Sequence, residues 1–487
     1  MTRPSKAELL WLVAIVTVAL AVRVLVIVFL PNFQHPDEIY QFFEQSHRIA
    51  FGYGLQTWEF REGARSLLLP AAFSQVFALV AHFGGGPRAY ILISQTLLAA
   101  LSTISVAAIY FAGLQRSRTH ALIAGTVAAT WFELVFFAGH ALTEVIATDF
   151  LLIALAAGDV AAEKLTRRRV FVIGFCLACC LMIRVHLAPG LMVAGIWIAR
   201  VNFRDRWVPM LLGAALPIVG FGLADWITWG SPFHSQIAAF RVNVVENKAS
   251  FYGVQPVYWY ALKLIYTWGG ALPVILALIA VRYRTVLMWF LVAAAIIATH
   301  TLIGHKEYRF IFPATACLAV AAALSTADLL EIAVRTVAIG RRTALTACAM
   351  VLWVATSVCL AVAPAFRPNW RLLGDGIGTF FWLSQQSNLC GLWLYDYGWW
   401  QIGGYSYLHH HVPIYDVGSA PDESAINYIM LRRRSLPGLP GLEGTYALQR
   451  CTGYDDPEDL CVVVRSGSCA ADSSNRSLQF EQHLGYG

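Results

Sequence analysis

Two short stretches carry most of the chemistry this chain can offer. The first, His35-Pro36-Asp37-Glu38, follows an apolar run from Leu9 to Leu30. A carboxylate there can serve as general base on an acceptor hydroxyl, an assistance that contributes roughly 100- to 10,000-fold in rate. Pro36 stops helix continuation and fixes the backbone ahead of the two acids. The plainer reading is that Asp37 caps a helix beginning at Glu38 or Ile39. The second stretch is His305-Lys306-Glu307-Tyr308-Arg309-Phe310, which holds three groups able to carry positive charge in five residues. Arg offers a planar fork and Lys a point charge to phosphate oxygens. A phosphate leaving group needs that neutralisation as its bond breaks. The competing reading is a tight turn in which Glu307 pairs with Lys306 or Arg309.

Weaker candidates lie between them. Gln41, Glu44, Gln45, His47 and Arg48 recur at helical spacing opposite Tyr40, Phe42 and Phe43. Such a helix suits a membrane interface, and a solvated face is the plainer account of most of these polar residues. Trp58, Glu59 and Arg65 follow, with Trp58 also fit to be an interface anchor. His140 and Glu144 read as a half-buried polar pair or as substrate contacts. Arg184 and His186 approach the same face. Asp225, Trp229, Asn243, Asn247, Tyr252, Tyr258 and Trp259 mix hydrogen-bonding and aromatic groups as sugar-binding surfaces do, or as ordinary interfacial residues do. His35, Asp37, Glu38 and Glu144 could ligate a divalent metal, but no spacing is diagnostic and no metal or other cofactor is expected. His409-His410-His411 is a weak metal hint, left outside the site. The chain has no internal repeat, Walker loop or dinucleotide fingerprint.

The elements that must position these residues follow from composition. Of 487 residues, 58% are hydrophobic and 13% charged, far more apolar than a soluble protein of this size. This is a polytopic membrane protein. The net charge of +6 is dispersed in short clusters, which argues against nucleic acid as a partner. Beyond the first span, apolar segments recur at 90 to 114, 119 to 138, 142 to 161, 170 to 187, 188 to 200, 207 to 225, 257 to 280, 285 to 303, 309 to 327 and 344 to 364. Segment 67 to 83 is ambiguous between a span and an interfacial helix. If it stays outside, Arg116/Arg118, Lys164/Arg167/Arg168/Arg169, Arg200/Arg204/Arg206, Arg282/Arg284 and Arg335/Arg341/Arg342 all fall in cytoplasmic loops; if it spans, they fall outside. The reading is therefore an α-helical fold of about 11 transmembrane helices, with residues 31 to 89 as a long first external loop carrying juxtamembrane helices. That assignment also brings His140, Glu144, segment 226 to 256 and residues 305 to 310 to the same face as Asp37.

Residues 1–364 form the membrane domain in this reading, and 365–487 a small external α/β domain with short β-type runs LCGLWLYDY, VPIYDV, AINYIML and LCVVVRS. Cys390, Cys451, Cys461 and Cys469 there are consistent with two disulfides, with three connectivities open and unpaired thiols as the alternative. The other six cysteines, in apolar runs, read as buried small hydrophobes.

HPDE followed by Gln41 and Glu44, then FGYGLQTWEF with GARS and Pro70, then NKASFYGVQPVYWY at 247 to 260 and HKEYRFIFP at 305 to 313, resemble the signature blocks of the ALG9/ALG12/PIG-B mannosyltransferases. These are family 22 glycosyltransferases of the GT-C superfamily. The resemblance covers residues 35 to 313. It implies a polyprenyl-phosphate-linked mannose donor, an inverting transfer without metal, and a glycan or glycolipid acceptor. By the same resemblance Asp37 would be the base with Glu38 beside it. His305, Lys306 and Arg309 would hold the donor phosphate with Arg65 as a further candidate. Read from the residues themselves, His35, Trp58, Glu59, His140, Glu144 and Tyr252 are the candidates to contact substrate.

The chain departs from that pattern at GHALTE, 139 to 144, and in its cysteine-bearing C-terminal domain, which suggests a different acceptor. Low Lys, high Ala and Arg, and no ER-retention tail lean toward a bacterial inner membrane with the site facing the periplasm. The alternative is an ER membrane with a luminal site, where Asn475-Arg476-Ser477 would be a sequon. Transfer of another sugar to lipid A or protein keeps the fold. A lipid-linked saccharide flippase would instead place ionisable residues at the bilayer midplane on broken helices of paired halves.

Overall fold

A computed structural model describes residues 4–334, 339–418, 421–438, 445–453 and 456–470. Arg335 and the sequon at 475 to 477 lie outside the described residues. The chain divides into two compact units, one of residues 1–29 and 95–368, the other of 30–94 and 369–487. The second therefore joins the first long loop to the polar C-terminal segment, whereas the sequence reading placed that loop with the membrane helices.

The first unit is helical. Among the described residues of the whole chain, six helices are long and apolar enough to cross a membrane, or seven if one bent pair is a single span. That is fewer than the count of apolar segments, because several of those segments form shorter helices: Arg118–Thr130, Thr143–Gly158, Arg167–Ile183 and Ala188–Ala199. The run expected at 119 to 138 breaks at Trp131, whose extended backbone separates Arg118–Thr130 from Phe132–Phe137. Arg23 of helix Lys6–Phe29 caps the break, donating to the carbonyls of Ala129 at 2.8 Å and Ala128 at 3.1 Å. Carbonyls freed at a buried helix end need such a donor. The segment at 257 to 280 is helix Trp259–Trp268 followed by Ala271–Val281, bent by 104°. Gly269 lies in the bend with φ of +48°, a conformation that glycine adopts without a Cβ penalty.

Helix Phe312–Ala333 runs through the middle of this unit, and its Ala314, Ala316, Ala319 and Ala321 to Ala323 are fully buried. Small side chains let neighbouring helix backbones approach closely in a membrane protein. The same logic acts where Arg167–Ile183 crosses Val208–Trp229: a Cβ on Gly174 would lie 1.9 Å from the Met210 carbonyl oxygen. Cys176, Cys179, Cys180 and Cys317 are buried as expected, but Cys348 and Cys359 are exposed on helix Ile339–Val362.

The second unit combines short helices with one sheet. Its strands are β1 (Leu392–Leu394), β2 (Ile414–Tyr415), β3 (Tyr428–Arg432), β4 (Tyr446–Cys451) and β5 (Leu460–Arg465), in the order β2-β1-β3-β5-β4. β1 is parallel to β2 and β3, and β5 is antiparallel to β3 and β4. Tyr415, Ile426, Ile429, Leu431 and Val463 pack its core. Four strands match the anticipated runs; β4 was not anticipated. Disulfides join Cys390 to Cys469 and Cys451 to Cys461. Segment 67 to 83 forms the 15-residue helix Leu68–His82. At about 1.5 Å per residue it is some 22 Å long, short of the roughly 30 Å of hydrocarbon in a bilayer.

Candidate active site

In the second unit the chain turns at Pro36 into a π-helical segment, Glu38–Phe43, and then into helix Glu44–Phe51. Widened π turns recur at functional sites. Asp37 already has helical backbone angles and its side chain makes no capping hydrogen bond. The cap reading is therefore excluded. Its carboxylate is one-quarter exposed, with Oδ1 3.1 Å from His35 Nδ1. Glu38 is buried, and its Oε1 accepts the backbone N–H groups of Gln34 and His35. It holds the turn on which Asp37 rides. Glu59, on the short helix Trp58–Arg61, accepts from Gln41 Nε2 at 3.0 Å. Burial raises the Glu59 carboxyl pKa, Arg65 opposes that rise, and the Asp37 charge adds to it. His35, Asp37, Glu38, Glu59 and Arg65 thus share one neighbourhood, next to the half-buried Trp58.

The polar face of the following helix is not solvated. Glu44, Gln45, Ser46 and His47 are fully buried. Glu44 accepts the N–H groups of Leu55 at 2.8 Å and Ser406 at 2.9 Å, and burial pushes its carboxyl up to about 7. Gln45 donates to the carbonyls of Tyr40 and Leu55. His47 bridges the Tyr53 carbonyl and His409 Nδ1, each at 3.0 Å, and burial lowers its pKa to about 3. These groups satisfy backbone of residues 40 to 55 and the Ser406 N–H, while His409 meets His47; the 399 to 412 segment thus covers the helix, a cover with no signature in a local polar-face pattern. The triple histidine is dispersed among such contacts, with His410 on the Ser384 carbonyl and His411 stacked on Tyr53. Among the described residues no group of three or more His, Cys, Asp or Glu side chains is arranged to hold a metal ion.

In the first unit, residues 303 to 311 form a loop and a 3-10 turn that open helix Phe312–Ala333. His305 sets Nδ1 3.0 Å from the Gly253 carbonyl and Nε2 2.9 Å from Glu307. Both ring nitrogens face oxygens that only accept, so the imidazolium satisfies both, and the Glu307 carboxylate raises the His305 pKa. Arg309 pairs with Glu307 at 2.6 Å and Glu144 at 3.7 Å; Arg184 pairs with Glu144 at 2.9 Å. Both guanidinium groups lie over the Phe310 ring, at 4.8 Å for Arg184 and 5.1 Å for Arg309. Lys306 is 5% exposed and its ammonium donates to the carbonyls of Gln255, Ile303 and Gly304. It ties the loop to segment 253 to 255, and burial lowers its pKa. Glu307 thus pairs with Arg309 and also with His305, while Lys306 takes carbonyls instead.

Tyr252 is exposed, its ring 6.2 Å from His305. His140 is buried against Phe136 at 4.7 Å. Arg184, seen in the sequence only as approaching this face, is a full member of the ion-pair network. Beneath it, buried Glu133 accepts from Trp268 Nε1 at 2.9 Å and from the Tyr308 hydroxyl. An acid in an apolar run is the signal that could have found it.

A helical membrane unit with a cationic loop, and a second unit carrying the acid turn beside a small sheet, define a GT-C-type membrane fold. Solved structures of ArnT from Cupriavidus metallidurans, bound to undecaprenyl phosphate and in the apo state, match it with a TM-score of 0.57 each. They share 12% and 14% identity and cover 95% and 94% of this chain and 99% and 98% of theirs. The chain belongs to the Alg9-like mannosyltransferase family, whose profile matches residues 14–369. Curated relatives include GPI mannosyltransferase 3 of Yarrowia lipolytica, 27% identical over 306 residues, and GPI alpha-1,2-mannosyltransferase 3 of Danio rerio, 26% identical over 320 residues. Each match covers 60% of this chain, and it spans 58% and 56% of those relatives' length.

Proposed function

We propose that this protein transfers mannose from a polyprenyl-phosphate-linked donor to a lipid-linked or cell-envelope glycan. One observation carries the reading. The cluster around Phe310 sets four cations, His305, Lys306, Arg309 and Arg184, against two carboxylates, Glu307 and Glu144. The neutral carbonyls around Lys306 do not cancel its charge. Such an excess in an apolar protein favours an anionic ligand, and the leaving group of this reaction is a phosphate that gains a negative charge. The family's mannosyltransferase description, and an ArnT of the same fold bound to undecaprenyl phosphate, support donor and sugar.

In this reaction the Asp37 carboxylate accepts the proton of an acceptor hydroxyl as that oxygen bonds to the anomeric carbon from the face opposite the phosphate. The bond from carbon to phosphate oxygen breaks, its electron pair leaves with the polyprenyl phosphate, and the configuration inverts. Glu38 positions Asp37 by holding the backbone at Gln34 and His35. His305 and Arg309, with Arg184, stabilise the departing phosphate; Lys306 keeps their loop in place. Arg65 and Glu59 flank Asp37. The charge on the leaving group is met by side chains, so transfer proceeds without a divalent cation. The site faces the periplasm of a bacterial inner membrane. Two disulfides in the unit bearing Asp37 favour an oxidising compartment for it.

The test is purified protein supplied with polyprenyl-phosphate mannose and candidate glycolipid acceptors. Mannose appearing on an acceptor, with release of polyprenyl phosphate, is the expected result. Binding of the donor without transfer to any acceptor, together with movement of the lipid between leaflets, would replace this reading with a flippase.

A further inference from the structure

Tyr260 Oη and His300 Nε2, both buried near the cationic cluster, have no hydrogen-bond partner among the described residues. Tyr260, on helix Trp259–Trp268, packs with Ile311 and Tyr308 and lies in the electrostatic field of Glu307, Arg184 and Glu144. Its hydroxyl proton reaches no acceptor among the described residues. His300, near the end of helix Tyr283–Leu302, has its ring 6.2 Å from the Phe310 ring that Arg184 and Arg309 cover. Its Nδ1 is 2.9 Å from the Ile296 carbonyl, which only accepts. Nδ1 therefore carries the proton, and Nε2 presents a lone pair.

Buried polar groups are almost always paired, and each exception needs a reason. A second phosphate cannot supply it, because phosphate oxygens accept and Nε2 needs a donor. Hydroxyl groups do both: one accepts the Tyr260 proton, and one donates to His300. We propose that Tyr260 and His300 bind hydroxyl groups of the donor's sugar, and so set which hexose the site accepts. The inference rests on the donor reading above and adds the residues that read the sugar.

The test compares two lipids on the full-length protein: polyprenyl-phosphate mannose and polyprenyl phosphate without sugar. Tyr260→Phe removes only the hydroxyl. His300→Asn keeps a donor for the Ile296 carbonyl while losing the distal nitrogen. Each should weaken the mannosyl lipid about five- to tenfold and leave the bare lipid phosphate unchanged, with the unfolding temperature preserved. Arg309→Ala should weaken both lipids. Folded variants that bind the mannosyl lipid like the parent, or lose both lipids equally, overturn the sugar assignment alone. A parent that binds neither lipid overturns the donor reading and this inference with it.

Discussion

Replacing Arg309 by alanine is the sharpest probe of the cationic loop, because the structure separates its effect on the ligand from its effect on the fold. Arg309 is buried and touches Glu307 at 2.6 Å and Glu144 at 3.7 Å. Without it, Glu307 keeps His305 at 2.9 Å and Glu144 keeps Arg184 at 2.9 Å. Neither carboxylate is stranded, so the variant avoids the strong penalty of an uncompensated buried charge. A lipid phosphate loses a charge-assisted hydrogen bond, worth about 1.5–3 kcal/mol, which is about 10- to 150-fold in Kd. The cation excess falls from two to one. Arg309→Lys restores the charge but not the planar fork and should fall between the two. The assay is the affinity of purified full-length protein for polyprenyl phosphate, with thermal unfolding measured on the same samples. An alanine variant that stays folded and binds within about twofold of the parent would refute the phosphate role.

Other outcomes follow from the same structure. Glu44 titrates near 7 in the fold against 4.5 unperturbed, so the folded form holds the proton more tightly. The stabilisation is full below pH 4.5 and is lost as pH rises through 7, by about 3 kcal/mol in total. Glu44→Gln should abolish that slope, and a parent whose unfolding midpoint is flat from pH 5 to 8 would contradict it. Lys306→Met removes the tie to Gln255, Ile303 and Gly304; it should speed proteolysis near residue 253 and slow turnover while weakening lipid phosphate less than Arg309→Ala. Cys390→Ser opens a crosslink spanning 79 residues and should destabilise its unit by about 2–4 kcal/mol, read as a lower unfolding temperature. Transfer should persist in excess EDTA, and its loss with recovery on adding a divalent cation would show that the side chains alone do not neutralise the phosphate.

The features legible in the sequence are those set by local chemistry. The turn at Pro36, the turn at 303 to 311 that opens helix Phe312–Ala333, and the β-type runs lie where the sequence places them because neighbours in sequence determine them. The helix boundaries were less legible, since hydropathy registers 119 to 138 as one apolar run without registering the break at Trp131 between Arg118–Thr130 and Phe132–Phe137. The polar helix after Asp37 looked solvated because its cover, residues 399 to 412, lies over 350 positions away in the chain. Glu144 and Arg184 were each visible as polar residues at helix ends. Their pairing with one another and with Arg309 required three separate elements to converge, which no spacing rule encodes. Glu38 and Lys306 read as chemically active groups, and both also satisfy backbone, a contact that depends on where the surrounding carbonyl and N–H groups point.

In the proposed transfer Asp37 removes a proton while the cationic loop holds the phosphate, and the two roles separate experimentally. The measurement is single-turnover transfer of labelled mannose from polyprenyl-phosphate mannose, made on the parent and on Asp37→Asn alongside donor affinity. Asp37→Asn should bind the donor like the parent and transfer at least about 100-fold more slowly. Transfer at the parent's rate by a folded Asp37→Asn protein would contradict it.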